Sequence, residues 1–132
     1  MSKRFGSERG AAAVEFALIV PILLLLLIGI IEFGRVYNAQ IELTGAAREG
    51  VRVMAIQNNP VSARSATRMA APSLNPALMD SQIGILSSPA NTGLCVPGST
   101  VTLTATYPLS FLTGMFGASI NLTGRGVMRC GG

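Results

Sequence analysis

RGAAAVEFALIVPILLLLLIGIIEFGR, Arg9 to Arg35, places a single carboxylate, Glu15, near the start of an apolar run that is otherwise uncharged as far as Ile31. From Ala11 to Ile31 a helix rising about 1.5 Å per residue reaches roughly 30 Å, the hydrocarbon thickness of a bilayer. A glutamate at membrane depth costs on the order of a few kcal/mol, and such residues are usually functional. The stretch therefore predicts a membrane-spanning helix and raises the question of what compensates Glu15.

The residues on either side set orientation and length. Lys3, Arg4 and Arg9 precede the run against Glu8 alone. By the positive-inside rule the N-terminus is then cytoplasmic and everything after Arg35 lies across the membrane. A cleaved secretory signal fits poorly, because the run is long, Glu15 interrupts it and no small-x-small site comes after it. The next segment, FGRVYNAQIELTGAAREGVRVMAIQ, still reads as helix. Glu32/Arg35 and Glu49/Arg52 can meet at i, i+3. Val36, Ala39, Leu43, Ala46, Ala47, Gly50, Val53 and Met54 recur at three- and four-residue steps. No proline occurs between Pro21 and Pro60. One helix is expected from about Ala12 to about Gln57, its first half in lipid and its second half projecting out. Pro21 should loosen it near Ala17.

Across 132 residues, 49% are hydrophobic and only 12% charged, so beyond the apolar run there remains enough chain for one small domain. Such a domain is marginal on core burial alone. The two cysteines, Cys95 and Cys130, both lie downstream of the run, and an even count across the membrane favours a disulfide over free thiols. There is no histidine, and Asp80 is the only aspartate, so no metal or cofactor is expected. Paired catalytic carboxylates, a phosphate-binding glycine loop and zinc spacing are all missing, and the expectation is a protein that is not an enzyme and takes no small-molecule substrate. The net charge is +4, and the other basic residues, Arg48, Arg52, Arg64, Arg68, Arg125 and Arg129, are dispersed without interleaved aromatics, which argues against nucleic acid.

Gly10 stands directly before AAAVEF. A cut after Gly10 would make Ala11 a free amino terminus and Glu15 the fifth residue of the mature chain. The ammonium and the carboxylate could then neutralise each other, within one chain or between neighbours, and fix axial stagger. A blander reading has Glu15 reaching into the headgroups and merely bounding an anchor.

The combination Gly10, Glu15, Phe16, Pro21, Gly29, Glu32, Gly34, Arg35, Ala46, Ala47, Arg48 and Gly50 resembles the TadE-like pseudopilins of tight-adherence (Flp-type) pilus systems, over about residues 9–52. The resemblance implies cleavage between Gly10 and Ala11 by a membrane aspartyl prepilin peptidase. It implies helix packing involving Pro21, Gly29, Glu32, Gly34 and Arg35. The implied partners are the inner membrane, other pilins or pseudopilins, and the pilus assembly platform. The alternative is an unprocessed, single-pass anchored binding module.

The expected fold class is α+β, with a long N-terminal pilin-like helix and a small disulfide-linked domain ending in an antiparallel hairpin or sheet. The expected organisation is a leader at 1–10, the helix at 11–57 with its span at 11–31, and an extracytoplasmic domain at 58–132. Asn58 to Pro60 should break the helix. Val61 to Ala71 can form a short helix with Ser62 as N-cap. PALMDSQIGILSSP reads as a helical turn plus a short extended piece. Ser99 to Tyr107 alternates as a half-buried strand, and Ser119 to Cys130 is a second strand, weakened by Gly124 and Gly126. Setting Cys95 opposite Cys130 pairs Leu103 with Leu122, Ala105 with Ile120 and Val101 with Gly124. Between the strands, Phe111, Leu112, Met115 and Phe116 make an apolar connection. Burial as a lid against the long helix is the commoner outcome, and a partner-binding patch is the other.

Overall fold

A computed structural model describes residues 5–131. Helix α1 runs unbroken over Phe5–Gln57, with Pro21 inside it. It starts before the expected Ala12 and ends where the periodicity and the Asn58–Pro60 break place its end. Asn58 adopts φ 49°, and its N–H reaches back 2.9 Å to the Met54 carbonyl. That left-handed residue closes the last turn by a backbone bond, a conformation asparagine tolerates better than most side chains.

The chain divides into two units after Arg35. In the second, residues 36–57 of α1 are part of the domain's own core. Ala39, Leu43, Ala46, Ala47, Val51 and Met54 are all buried, at the three- and four-residue steps of one helical face. Helix α2, Pro60–Met69, buries Ala63 and Thr67. Its N-cap is Asn59, not Ser62: the Asn59 carboxamide accepts from the N–H groups of Val61 (3.0 Å) and Ser62 (3.2 Å). Pro60 occupies the first helical position, where a missing N–H costs nothing. The proline that ends one helix thus opens the next. Asn59→Ala is expected to lower stability by about 1 kcal/mol, against less than about 0.5 for Ser62→Ala, measured as shifts in the urea midpoint.

A single 3-10 turn, Asp80–Gln82, leads into strand β1, Ile83–Ser88. Strands β2, Thr100–Ser110, and β3, Ser119–Arg129, complete a three-stranded antiparallel sheet in the order β1-β2-β3. The fold class is therefore α+β as expected, with one more strand than a hairpin. Every second residue of β2 from Val101 to Leu109 is buried, the pattern of a sheet with one covered face.

The register differs from the one that a cross-strand cysteine pair would impose. Leu103 pairs with Gly126, not Leu122, and Ala105 with Gly124, not Ile120; Tyr107 is the partner of Leu122. Cys95 lies before β2, separated from it by a turn at Pro97 and Gly98 (φ 82°). Cys130 comes directly after β3, and its N–H bonds the Ser99 carbonyl at 2.9 Å. The disulfide (Cα–Cα 5.4 Å) therefore closes the end of the hairpin from outside the ladder. The displacement is four residues, an even number, so each side chain keeps its face while changing its neighbour.

Gly124 and Gly126 explain how the helix rests on this sheet. A Cβ on Gly124 would strike the backbone carbonyl of Leu43, and one on Gly126 would come within 2.5 Å of the Ala47 carbonyl oxygen. The glycines make a channel that lets α1 lie directly against β3. On the helix side, a Cβ on Gly50 would collide with the Thr67 hydroxyl of α2. Gln40 reinforces the contact, its Nε2 donating to the Thr123 carbonyl at 2.9 Å.

Candidate functional site

Every consecutive position from Ile22 to Leu27 is half-exposed or more, so the apolar surface covers all faces of the helix rather than one stripe. A helix apolar all round either sits inside a large protein or spans a membrane. None of the most apolar window of α1 is buried, and the helix is long and apolar enough to cross a membrane. Proline within it is tolerable, because spanning helices accommodate such interruptions.

The residues expected to form a processing site lie on this helix. Gly10, Ala11, Glu15 and Phe16 are all exposed on its surface, and the space a Gly10 Cβ would occupy is open. Glu15 lies four residues beyond Ala11, hence one turn along the same face, about 6 Å in rise. A chain beginning at Ala11 would carry its ammonium there. In the uncut chain the Ala11 nitrogen is part of the helix, and Glu15 has no ion pair among the described residues. Lys3 and Arg4 of the basic start lie outside them.

Pro21 and Gly34 are exposed, Gly29 is half-exposed, and a Cβ at either glycine would meet nothing within 4 Å. Glu32 differs: it is 1% exposed, and Arg35 Nη1 lies 3.4 Å from its Oε2. The expected Glu49–Arg52 pair also forms, at 3.5 Å, on an exposed surface.

In the second unit, three polar ties hold the loops around the core. Asn58, besides ending α1, accepts the Cys95 N–H on its Oδ1 at 2.6 Å. Glu42 receives both the N–H and the hydroxyl of Ser73. The Tyr107 hydroxyl donates to the Pro76 carbonyl at 2.7 Å. Sequence patterning marks none of these, because each joins residues at least 31 positions apart.

The β2–β3 connection is not the buried lid expected from its composition. Leu112, Met115 and Phe116 are 64, 53 and 46% exposed, and only Phe111 is half-buried. The Phe111 and Phe116 rings stand 6.2 Å apart, tilted at 56°, within the range of favourable aromatic pairs. The strands run on to Ser110 and from Ser119, which leaves the apolar residues at the tip of a long hairpin. Among the described residues, no group of three His, Cys, Asp or Glu side chains could hold a metal ion.

Among the described residues these features give one helix long and apolar enough to cross a membrane and, in the second unit, a small disulfide-bonded α+β domain. The sequence model of the family described as TadE-like protein matches residues 10–52, from Gly10 through most of the core face of α1. The chain thus carries a TadE-like segment over a third of its length, over nearly the same residues as the sequence resemblance. No curated protein and no solved structure matches the chain.

Proposed function

We propose that this chain is a minor, pseudopilin-like component of a tight-adherence pilus, anchored in the inner membrane by residues 11–31. The observation that carries the reading is the TadE-like match, which begins at Gly10 and includes Glu15 and Phe16. The family suggests a structural, pilus-associated component rather than a catalyst. The all-round apolar helix supports an anchor, and the basic residues before it support a cytoplasmic N-terminus.

In this role a prepilin peptidase cuts between Gly10 and Ala11. The new amine and Glu15 then neutralise each other, or pair with the same groups on neighbouring pilins as the subunit docks onto the assembly platform. Helix contacts replace lipid contacts on assembly, and the disulfide-bonded domain remains outside to select neighbours. Its size sets it apart from very short major pilins.

Intact mass and N-terminal sequencing of membrane-extracted protein are expected to give a chain starting at Ala11. A photoreactive side chain at Leu18 is expected to crosslink to pilin subunits. A start at Met1 or Ser2, with adducts to lipid alone, would leave a single-pass anchored module instead.

A further inference from the structure

We infer that the outer edge of β3 is a docking edge for an extended, acidic segment of a partner protein, which adds to the sheet as a fourth strand. The inference concerns the second unit alone. It gives the neighbour selection proposed above a surface, and it stands whether or not the chain is cut after Gly10.

The first observation is that the fold closes one edge of its sheet and leaves the other open. Along β1, the Ser87 N–H donates to the Thr92 carbonyl at 2.7 Å, and Arg64 Nε donates to the Ile83 carbonyl at 3.3 Å. Strand β3 is the opposite edge. At its two ends the Ala118 carbonyl accepts from the Phe111 N–H, and the Cys130 N–H donates to the Ser99 carbonyl. The even-numbered residues of β3 therefore turn their backbone groups towards β2, and in an antiparallel ladder the odd-numbered ones turn theirs away. Thr123 agrees, since its carbonyl meets Gln40 of α1. Among the described residues, that is the only bond to the outward groups from Asn121 to Arg129. Arg125, Val127 and Arg129 are all exposed, and each presents an N–H and a C=O at the open edge. Such a row of alternating donors and acceptors is the template for another polypeptide strand.

The second observation is charge. Every acidic side chain of the unit is engaged: Glu42 with Ser73, Glu49 with Arg52 and Asp80 with Arg68. Arg48, Arg125 and Arg129 are exposed and make no ion pair among the described residues. Arg125 and Arg129 project from the sheet face away from α1, because the alternate residues Gly124 and Gly126 face the helix. On α1, Gly50 points to Leu103 of β2, and Ala47 points to Gly126 of β3. Continuing round the helix in that sense, Arg48 stands about 160° from Gly50, beyond β3, whereas Glu42 and Glu49 lie about 80–100° the other way. Cations thus border the open edge and the carboxylates lie elsewhere. A second copy of β3 would bring the same guanidiniums and no carboxylate, and like charges across strands weaken pairing. A partner strand with acids opposite Arg125 and Arg129, and an apolar residue opposite Val127, matches the edge in charge as well as in hydrogen bonding.

The probe is the acetylated, amidated peptide Thr-Glu-Thr-Val-Thr-Glu-Thr, which reads the same in both directions, added to the full chain in detergent micelles. Amide hydrogen exchange is followed residue by residue. At saturating peptide, exchange at Arg125, Val127 and Arg129 is expected to slow about tenfold or more. Gly124, Gly126 and Met128, already bonded to β2, should not change. The same peptide with Lys in place of Glu should protect none of them. Arg125→Glu/Arg129→Glu is expected to reverse the preference, losing about tenfold in affinity for the Glu peptide and taking up the Lys peptide. Val127→Pro removes one outward N–H at an edge position that accepts proline, and should abolish protection. If that variant fails to fold, the charge-reversed chain decides alone. Edge amides left unprotected by millimolar Glu peptide would overturn the proposal, and so would equal protection by both peptides. Protection that appears without peptide and grows with chain concentration would mean that a second copy takes the edge, and would equally overturn it.

Discussion

Gly124→Val is expected to abolish the folded domain, with β2 and β3 amides losing hydrogen-exchange protection while α1 stays helical in detergent. The new Cβ would fall on the Leu43 carbonyl, with the carbonyl carbon at 2.7 Å and Leu43 Cγ at 3.0 Å. It would meet helix backbone, which no change of rotamer can move. Overpacking of a core costs about 1–3 kcal/mol and more where backbone must shift. Against a total stability of about 5–15 kcal/mol, a cost at or above that upper value removes much of the margin. Gly126→Val faces Ala47 oxygen at 2.5 Å and Val51 Cγ1 at 2.8 Å, and should behave alike. Gly45 is the control: it is exposed, and an added Cβ there meets nothing within 4 Å. Gly45→Ala is expected to raise stability by up to about 1 kcal/mol. Equal tolerance at Gly124 and Gly45 would mean that helix and sheet are not in direct contact.

The second large effect is expected from Cys95→Ser/Cys130→Ser. The bridge spans 35 positions, for which the chain-entropy relation gives about 4 kcal/mol, within the usual range for small domains. The loss reaches further than the sheet end, because the Cys95 N–H is held by the side chain that closes α1. The double variant is expected to melt at a much lower temperature, and wild-type protein treated with reductant should melt alongside it. Unfolding that reductant leaves unchanged would show that the bridge adds little to stability. Replacing both cysteines avoids the stray thiol a single substitution leaves.

Much of this architecture is legible in the chain because it obeys local rules. The helix end at Gln57, both i, i+3 ion pairs and the alternation along β2 come from spacing alone. Where distant segments compete, local rules mislead. Treating Cys95 and Cys130 as a cross-strand pair gives the right buried face and the wrong neighbours, since Pro97 and Gly98 fold back between cysteine and strand. Strand propensity reads Gly124 and Gly126 as weaknesses, whereas packing uses their missing side chains. Ser62 satisfies a capping rule, but Pro60 claims the first helical position and passes the cap to Asn59. The loop's apolar content suggests burial, yet β2 and β3 extend far enough to carry it outside the core. Of the proposed processing site the fold shows only that Gly10, Ala11, Glu15 and Phe16 are accessible on a helix.

The contact between Leu43 and Gly124 also dictates when the domain can mature. Residues 36–57 leave the ribosome early, but the strand that covers them comes about 80 positions later. Until β3 arrives, the apolar face of α1 has no sheet to close on, and an interrupted polypeptide would carry it bare. Contacts so distant in sequence form slowly and leave exposed intermediates. Synthesis from the N-terminus thus delivers the helix first and its cover last, so only a polypeptide made through β3 can close this fold.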